Sequence, residues 1–308
     1  MLIYDSVIPE RLQYLFALSR THHGVLDMMA PIFVVLVYLG RLPDMTIAVM
    51  GGMTVFAGYT AVYALNDIAG YKDDKKNIVP NREKGMDLDS ILIRHPLAQG
   101  VITLKSAMLW AGFWSVTAVL GAYYLNPVCI AIFISGGVLE VVYCLLLKVT
   151  WLRIIVSGFV KAAGPLAAVF AVDPAPDPLF LSLLFGFFFL WEAGGQNIPN
   201  DYSDMEEDRK VNAKTLPLKL GPKLTCRLVM GLLTAAFILM TALLLISPVQ
   251  FDGFSFLLFG TGSLLLLILP SGKLVKTGSQ KAAMAVFNRA SYYPFFLLCV
   301  ILLNLFIK

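Results

Sequence analysis

Nine apolar stretches, each near the length of a bilayer-crossing helix, run through this chain: Gly24–Leu42, Met45–Leu65, Gly100–Leu125, Val128–Leu147, Leu152–Val172, Leu179–Ala193, Leu224–Ile246, Phe254–Leu269 and Ala290–Ile307. So much apolar surface has no place in water. Of the 308 residues, 58% are hydrophobic and 14% charged, against about 45–50% and about 25% in soluble domains. One span takes about 20 residues, so the runs leave no room for a sizeable domain outside the membrane. The expected fold is all-α, a polytopic membrane helix bundle with about nine transmembrane helices, forming one domain over residues 1–308. The sixth and eighth runs are short, so their ends are the least well marked. Proline-bearing breaks mark several joins: Asn126-Pro127, Asp173 to Pro178, and Ser247-Pro248.

Lysine and arginine placement sets the orientation. One side receives Arg11, Arg20, the cations between Lys72 and Lys105, Lys148, Arg153, those between Arg209 and Arg227, and those between Lys273 and Arg289. The other side receives Arg41 and Lys308. By the positive-inside rule the N-terminus and the loops after the second and sixth runs are cytoplasmic. The net charge of +4 follows from this bias and implies no nucleic-acid partner. Cys129, Cys144, Cys226 and Cys299 are dispersed, without CxxC pairing, and read as small apolar residues. Met1–Arg20 contains Asp5, Glu10, Arg11 and Arg20 and lacks the apolar centre of a cleavable signal peptide.

Two cytoplasmic loops, Asn66–Gln99 and Asn197–Lys223, are rich in acids and lie about half a chain apart, a weak internal repeat. In the second, Asn200, Asp204 and Asp208 are spaced i, i+4, i+8, with Asp201 beside them. On a helix this spacing stacks three oxygen-bearing side chains on one face. Aligned carboxylates repel unless a cation lies between them, and Mg²⁺ often bridges carboxylates to substrate phosphates. In the first, Asn66 and Asp74 share a face, with Asp67 nearby and Gly70 at the middle position. Two such clusters on one side of a bundle can hold two Mg²⁺ about one diphosphate. Glu140, Glu192, Asp27 and Lys161 fall inside apolar runs, where ionisable residues are costly and mark functional sites.

These motifs resemble the UbiA superfamily of intramembrane prenyltransferases, whose N-D-x-x-D-x-x-x-D motif follows the second helix and whose D-x-x-x-D motif follows the sixth. Asn66, Asp67 and Asp74 match the first, and Asp204 and Asp208, preceded by Asp201, match the second. Arg94-His95-Pro96-Leu97-Ala98-Gln99-Gly100 is similar to the family's R-P-L-x-S-G stretch. Tyr143 with Lys148 and Thr150 is similar to its Y-x-x-x-x-K-R-x-T stretch, and Lys214 to Gly221 to its T-L-P…L-G tail. Two departures stand out. Gly70 replaces the middle acid, so that one ligand is missing or comes from Asp73, and the interval from Asp74 to Arg94 is long, with Gly85–Ile93 as a candidate amphipathic lid.

The resemblance implies a central cavity, an isoprenoid diphosphate substrate and Mg²⁺ as cofactor. It implies Asp67, Asp74, Asp204 and Asp208 as catalytic residues, and Asn66, Asp67, Asp73, Asp74, Asn200, Asp201, Asp204 and Asp208 as metal ligands. Arg20, Arg94, Tyr143, Lys148, Arg209 and Lys214 are the candidate substrate-binding residues. The expected reaction is prenyl transfer to a lipid-soluble, quinone-precursor-like aromatic acceptor in a bacterial or archaeal cell membrane. The alternatives are a non-aromatic acceptor such as a glycerol phosphate, a terpene cyclase, and a non-catalytic lipid-binding homologue. A transporter fits less well, because its ionisable residues would gather near the midplane.

Overall fold

The structure, a computed structural model, describes residues 9–75 and 93–307. Most of the proposed lid, residues 85–92, lies outside the described residues. Among those described, nine helices are long and apolar enough to cross a membrane: Thr21–Leu39, Met45–Asp74, Leu104–Leu125, Pro127–Lys148, Arg153–Val172, Pro178–Ser203, Pro222–Ile246, Gly253–Thr277 and Gln280–Phe306. They correspond one to one with the nine apolar runs, and the chain is an integral membrane protein. A further helix, Glu10–Leu18, precedes the first span.

The joins follow from local chemistry. Asn126 ends the third span and caps the fourth, its side-chain oxygen accepting the Val128 N–H at 2.9 Å. Asp177 caps the sixth by accepting the Leu179 N–H at 3.0 Å. Thr103 caps the third by accepting from Ser106 N–H at 3.2 Å. In each case a short polar side chain satisfies an N–H that the helix leaves unpaired. Pro31 and Pro165 lie within spans, where neighbouring helices support the interrupted backbone.

The second and sixth spans run beyond their apolar runs. Helix continues from Leu65 to Asp74, and from Ala193 to Ser203, so both acidic motifs begin on helix rather than in loop. The ninth span likewise starts at Gln280, ten residues before the apolar run. About half of the first, sixth and ninth spans is buried, far more than of the second, third and fourth. Phe33, Phe187, Trp191, Leu233, Leu267 and Tyr293 belong to the resulting core. Met108, Leu109, Phe113, Val116 and Leu120 stand exposed on the third span, as a face turned to lipid requires.

Candidate active site

Alternating spans bring the ends of even-numbered helices and the starts of odd-numbered ones to one side of the bundle. Both acidic motifs, the Tyr143–Lys148 segment, Arg153 and Arg20 therefore share that side. A cavity of about 1150 Å³ opens there, lined by Arg20, Asn66, Asp74, Arg94, His95 and Asp204 among others. It continues to Leu42, Pro43 and Val172 at the opposite ends of the spans. From Ala48 to Asn66, both on its wall, eighteen helical steps cover about 27 Å.

The first motif is divided among partners. Asn66 accepts from Arg20 Nη2 at 3.2 Å and donates to Glu140. Asp73 receives Lys148 Nζ at 2.5 Å. Asp67 and Asp74 both face His95, whose Nδ1 lies 2.9 Å from Asp67 Oδ1 and 3.1 Å from Asp74 Oδ2. Burial pulls the His95 imidazole down, but the Asp67 and Asp74 carboxylates outweigh it and push the ring up to about 9.

The second motif keeps its expected stacking across a break in the helix. Asp204 separates the short helices Ile198–Ser203 and Met205–Lys210. The i to i−4 bonds still run through it, from Asp204 N–H to the Asn200 carbonyl at 3.1 Å and from Asp208 N–H to the Asp204 carbonyl at 2.9 Å. Asn200, Asp201, Asp204 and Asp208 all line the cavity. Asp204 receives Arg94 Nη2 at 3.2 Å and the Ser203 hydroxyl at 2.7 Å. Asp201 forms a buried ion pair with Arg153 Nη2 at 2.9 Å. Burial raises the Asp208 carboxyl first, and Asp201 and Asp204 add to it against Arg153, carrying it to about 7.

Adjacent residues thus join the two motifs: Arg94 contacts Asp204 while His95 contacts Asp67 and Asp74. Arg209 and Lys214 are exposed and do not line the cavity. Tyr143 does line it, accepts from Asn197 Nδ2 at 2.7 Å, and lies under Arg153 at 4.3 Å.

A second polar layer lies deeper. Lys161 Nζ is 2.5 Å from Asp27 Oδ2 and 3.7 Å from Glu192 Oε2, and Tyr63 donates to Asp27. Ser157 donates to Glu192 at 2.5 Å and receives Asn197 Nδ2 at 3.2 Å. A π-helical turn, Glu192–Asn197, presents Glu192, Gln196 and Asn197 to the cavity together, a form that recurs at functional sites. Its glycines permit close packing: a Cβ on Gly194 would lie 2.8 Å from Leu232 Cβ, and one on Gly195 2.9 Å from Ala290 Cβ.

Sequence reasoning passed over His95, Ser157, Gln196 and Asn197, and counted Arg153 only as an orientation-setting cation. His95 had a signal, since it is the residue that parts Arg94 from Pro96 where R-P-L is expected. Of the aromatic residues in the second to sixth spans, Tyr59, Tyr63, Phe133 and Tyr143 line the cavity. Phe113 and Phe159 are exposed.

The donors fit divalent cations. Asp67 Oδ2 and Asp208 Oδ2 are buried with no hydrogen-bond partner among the described residues, which is costly for a carboxylate that lacks a cation. If Asp208 holds a metal ion, binding below about pH 7 displaces a proton from it. Apparent Mg²⁺ affinity is therefore expected to fall as pH drops through about 7. Mg²⁺ titrations above and below that pH measure the effect, and an unchanged affinity would count against Asp208 as a ligand.

Residues 28–300 match the family model of the UbiA prenyltransferase family. The chain belongs to the UbiA prenyltransferase family. It is 26% identical over 207 residues to digeranylgeranylglyceryl phosphate synthase from Thermococcus kodakarensis, an alignment covering 67% of this chain and 68% of that one. Among solved structures, an apo UbiA homologue from Aeropyrum pernix K1 superposes with a TM-score of 0.69 at 18% identity, over 97% of this chain and 99% of that one. A UbiA homologue from Archaeoglobus fulgidus bound to GPP and Mg²⁺ gives 0.62 at 17%, over 94% and 99%. This UbiA family member is a prenyltransferase with the helical-bundle architecture of those structures.

Proposed function

We propose that this protein transfers a prenyl group from an isoprenoid diphosphate to a lipid-soluble acceptor at the cytoplasmic mouth of the cavity, with Mg²⁺ as cofactor. The observation that carries the reading is the meeting of both acidic motifs at that mouth, joined through Arg94 and His95. The A. fulgidus homologue, which binds GPP and Mg²⁺, supports the same ligands here. Asp67 and Asp74 would hold the metal on one side, and Asn200, Asp204 and Asp208 on the other. Bound there, Mg²⁺ offsets the charge that builds on the departing diphosphate.

The rest falls to the chain. Arg94, Lys148 and Arg153 bring positive charge to the mouth, each beside one of the motif acids. The prenyl tail lies along Ile47, Val55, Val62, Ile132 and Val160 on the cavity wall. This apolar length keeps water from the allylic cation formed as the C–O bond breaks. The Asp27, Lys161 and Glu192 layer faces the reacting carbon from below and offers carboxylate oxygens to take the acceptor's proton.

The T. kodakarensis relative, named a digeranylgeranylglyceryl phosphate synthase, favours a glycerol phosphate lipid as acceptor. Tyr59, Tyr63, Phe133 and Phe287 on the cavity wall favour the second reading, an aromatic quinone precursor. The positive-inside bias supports the cytoplasmic orientation of this mouth, and the reading takes the membrane to be a bacterial or archaeal cell membrane. Purified protein, incubated with Mg²⁺ and prenyl diphosphates of several lengths, is expected to release diphosphate only when an acceptor is present. Release with a prenylated glycerol phosphate or with a phenolic acid assigns the acceptor. Release without either points to cyclisation, and no release under any condition refutes the reading.

A further inference from the structure

The two acidic motifs are chemically unlike, and the difference centres on His95. In the first motif the middle position is Gly70, which supplies no ligand. A Cβ there would lie 3.0 Å from Asp74 Oδ2, so a side chain at position 70 would compete for the space the Asp74 carboxylate uses. Asp74 instead meets His95, and so does Asp67. One ligand atom from each of Asp67, Asp74 and His95 lies within 4.8 Å of the others. His95 reaches this position with a left-handed backbone, φ +52°, a conformation uncommon outside glycine and retained where surrounding structure enforces it. Asp67 is 2% exposed, and its second oxygen is buried without a hydrogen-bond partner among the described residues. A carboxylate so placed, beside a second carboxylate and an imidazole, has the donors of a cation site.

We infer that His95 Nδ1 is the third protein ligand of a divalent-cation site with Asp67 and Asp74, and that this site prefers Mn²⁺ or Co²⁺ to Mg²⁺. The inference rests on the diphosphate reading above and adds a ligand to it. Carboxylates suit Mg²⁺ and Mn²⁺, whereas imidazole suits the first-row transition ions. The facing cluster of Asn200, Asp204 and Asp208 offers oxygen alone, which suits Mg²⁺. The bound diphosphate would then lie between one mixed nitrogen–oxygen site and one all-oxygen site. Gly70 and His95 act as a pair: the first leaves room for Asp74 to turn, and the second, once a bound cation has displaced the proton from Nδ1, replaces the missing ligand.

Pulsed electron paramagnetic resonance of Mn²⁺ bound to the full chain, with an unreactive prenyl diphosphate analogue present, tests this without turnover. The expected result is ¹⁴N coupling to Mn²⁺ in the wild type. That coupling is lost in His95→Asp, together with a tenfold or so preference for Mn²⁺ over Mg²⁺ in competition titrations. The wild-type spectrum decides even if the variant fails to fold. Bound Mn²⁺ without nitrogen coupling overturns the inference and leaves the diphosphate reading standing. Coupling that persists in folded His95→Asp overturns it as well, since another nitrogen would be the source. Failure of Mn²⁺ to bind at all, with the analogue present, overturns both.

Discussion

Asp208→Asn is expected to lower prenyl transfer on the order of a thousandfold while leaving the bundle folded. The side chain lines the cavity mouth, and one of its oxygens is buried with no partner among the described residues. Beyond the neighbouring Thr215 hydroxyl little in the fold depends on this carboxyl, whereas on the proposed reading a cation shared with the diphosphate does. Removing one charge-stabilising group from a preorganised site costs about 10²–10³ in rate, and a lost metal ligand belongs at the upper end. The variant keeps the shape and donates an N–H₂ where a carboxylate accepted, so on the proposed reading the metal would lose a ligand and gain a repelling donor. The check is steady-state turnover beside a thermal unfolding curve in detergent. Activity within tenfold of wild type would remove Asp208 from the metal site.

Arg153→Met is expected to cost about 3–5 kcal/mol of stability. Arg153 and Asp201 form a buried pair at 2.9 Å, each side chain 9% exposed. Arg153 also lies over the Tyr143 ring at 4.3 Å. Removing the guanidinium leaves the Asp201 carboxylate buried without its cation, which costs far more than the pair contributes as a unit. Asp201→Asn in the same background is therefore expected to recover most of the loss. Unfolding of the single and double variants in mixed detergent measures both. A single variant as stable as wild type would mean that water or another cation already serves Asp201.

Membrane architecture was legible because it is written in long apolar runs, which neither loops nor partners can obscure. All nine runs appear as spans. The ends were less legible at the acidic motifs: Leu65 and Ala193 close the apolar runs, yet helix continues to Asp74 and Ser203. Polarity ends a run in the sequence, but helix can continue past the membrane surface into the mouth of the site. The spacing of Asn200, Asp204 and Asp208 survived even the break at Asp204, because backbone bonds four residues apart persist through it.

Partner choice was not legible. Lys148, Arg153 and Lys161 are all cations near span ends or within spans, and nothing in their spacing says that they meet Asp73, Asp201 and Asp27. Those pairings join helices distant in sequence and depend on how the bundle closes. The π-helical turn at Glu192–Asn197 was hidden for the same reason: Gly194 and Gly195 mark close packing only once Leu232 and Ala290 are beside them. Asp73, considered as a substitute ligand for the missing acid at Gly70, is turned to Lys148, and the residue beside Asp67 and Asp74 is His95.

The most direct test of a diphosphate held between the two motifs is Mg²⁺-dependent binding of a radiolabelled, unreactive prenyl diphosphate analogue to wild type, Asp74→Asn and Asp208→Asn. The account predicts that wild type binds only with Mg²⁺, and that each variant, altered on a different motif, loses most of that binding. Binding lost in one variant and untouched in the other, or binding that ignores Mg²⁺ in the wild type, would contradict it.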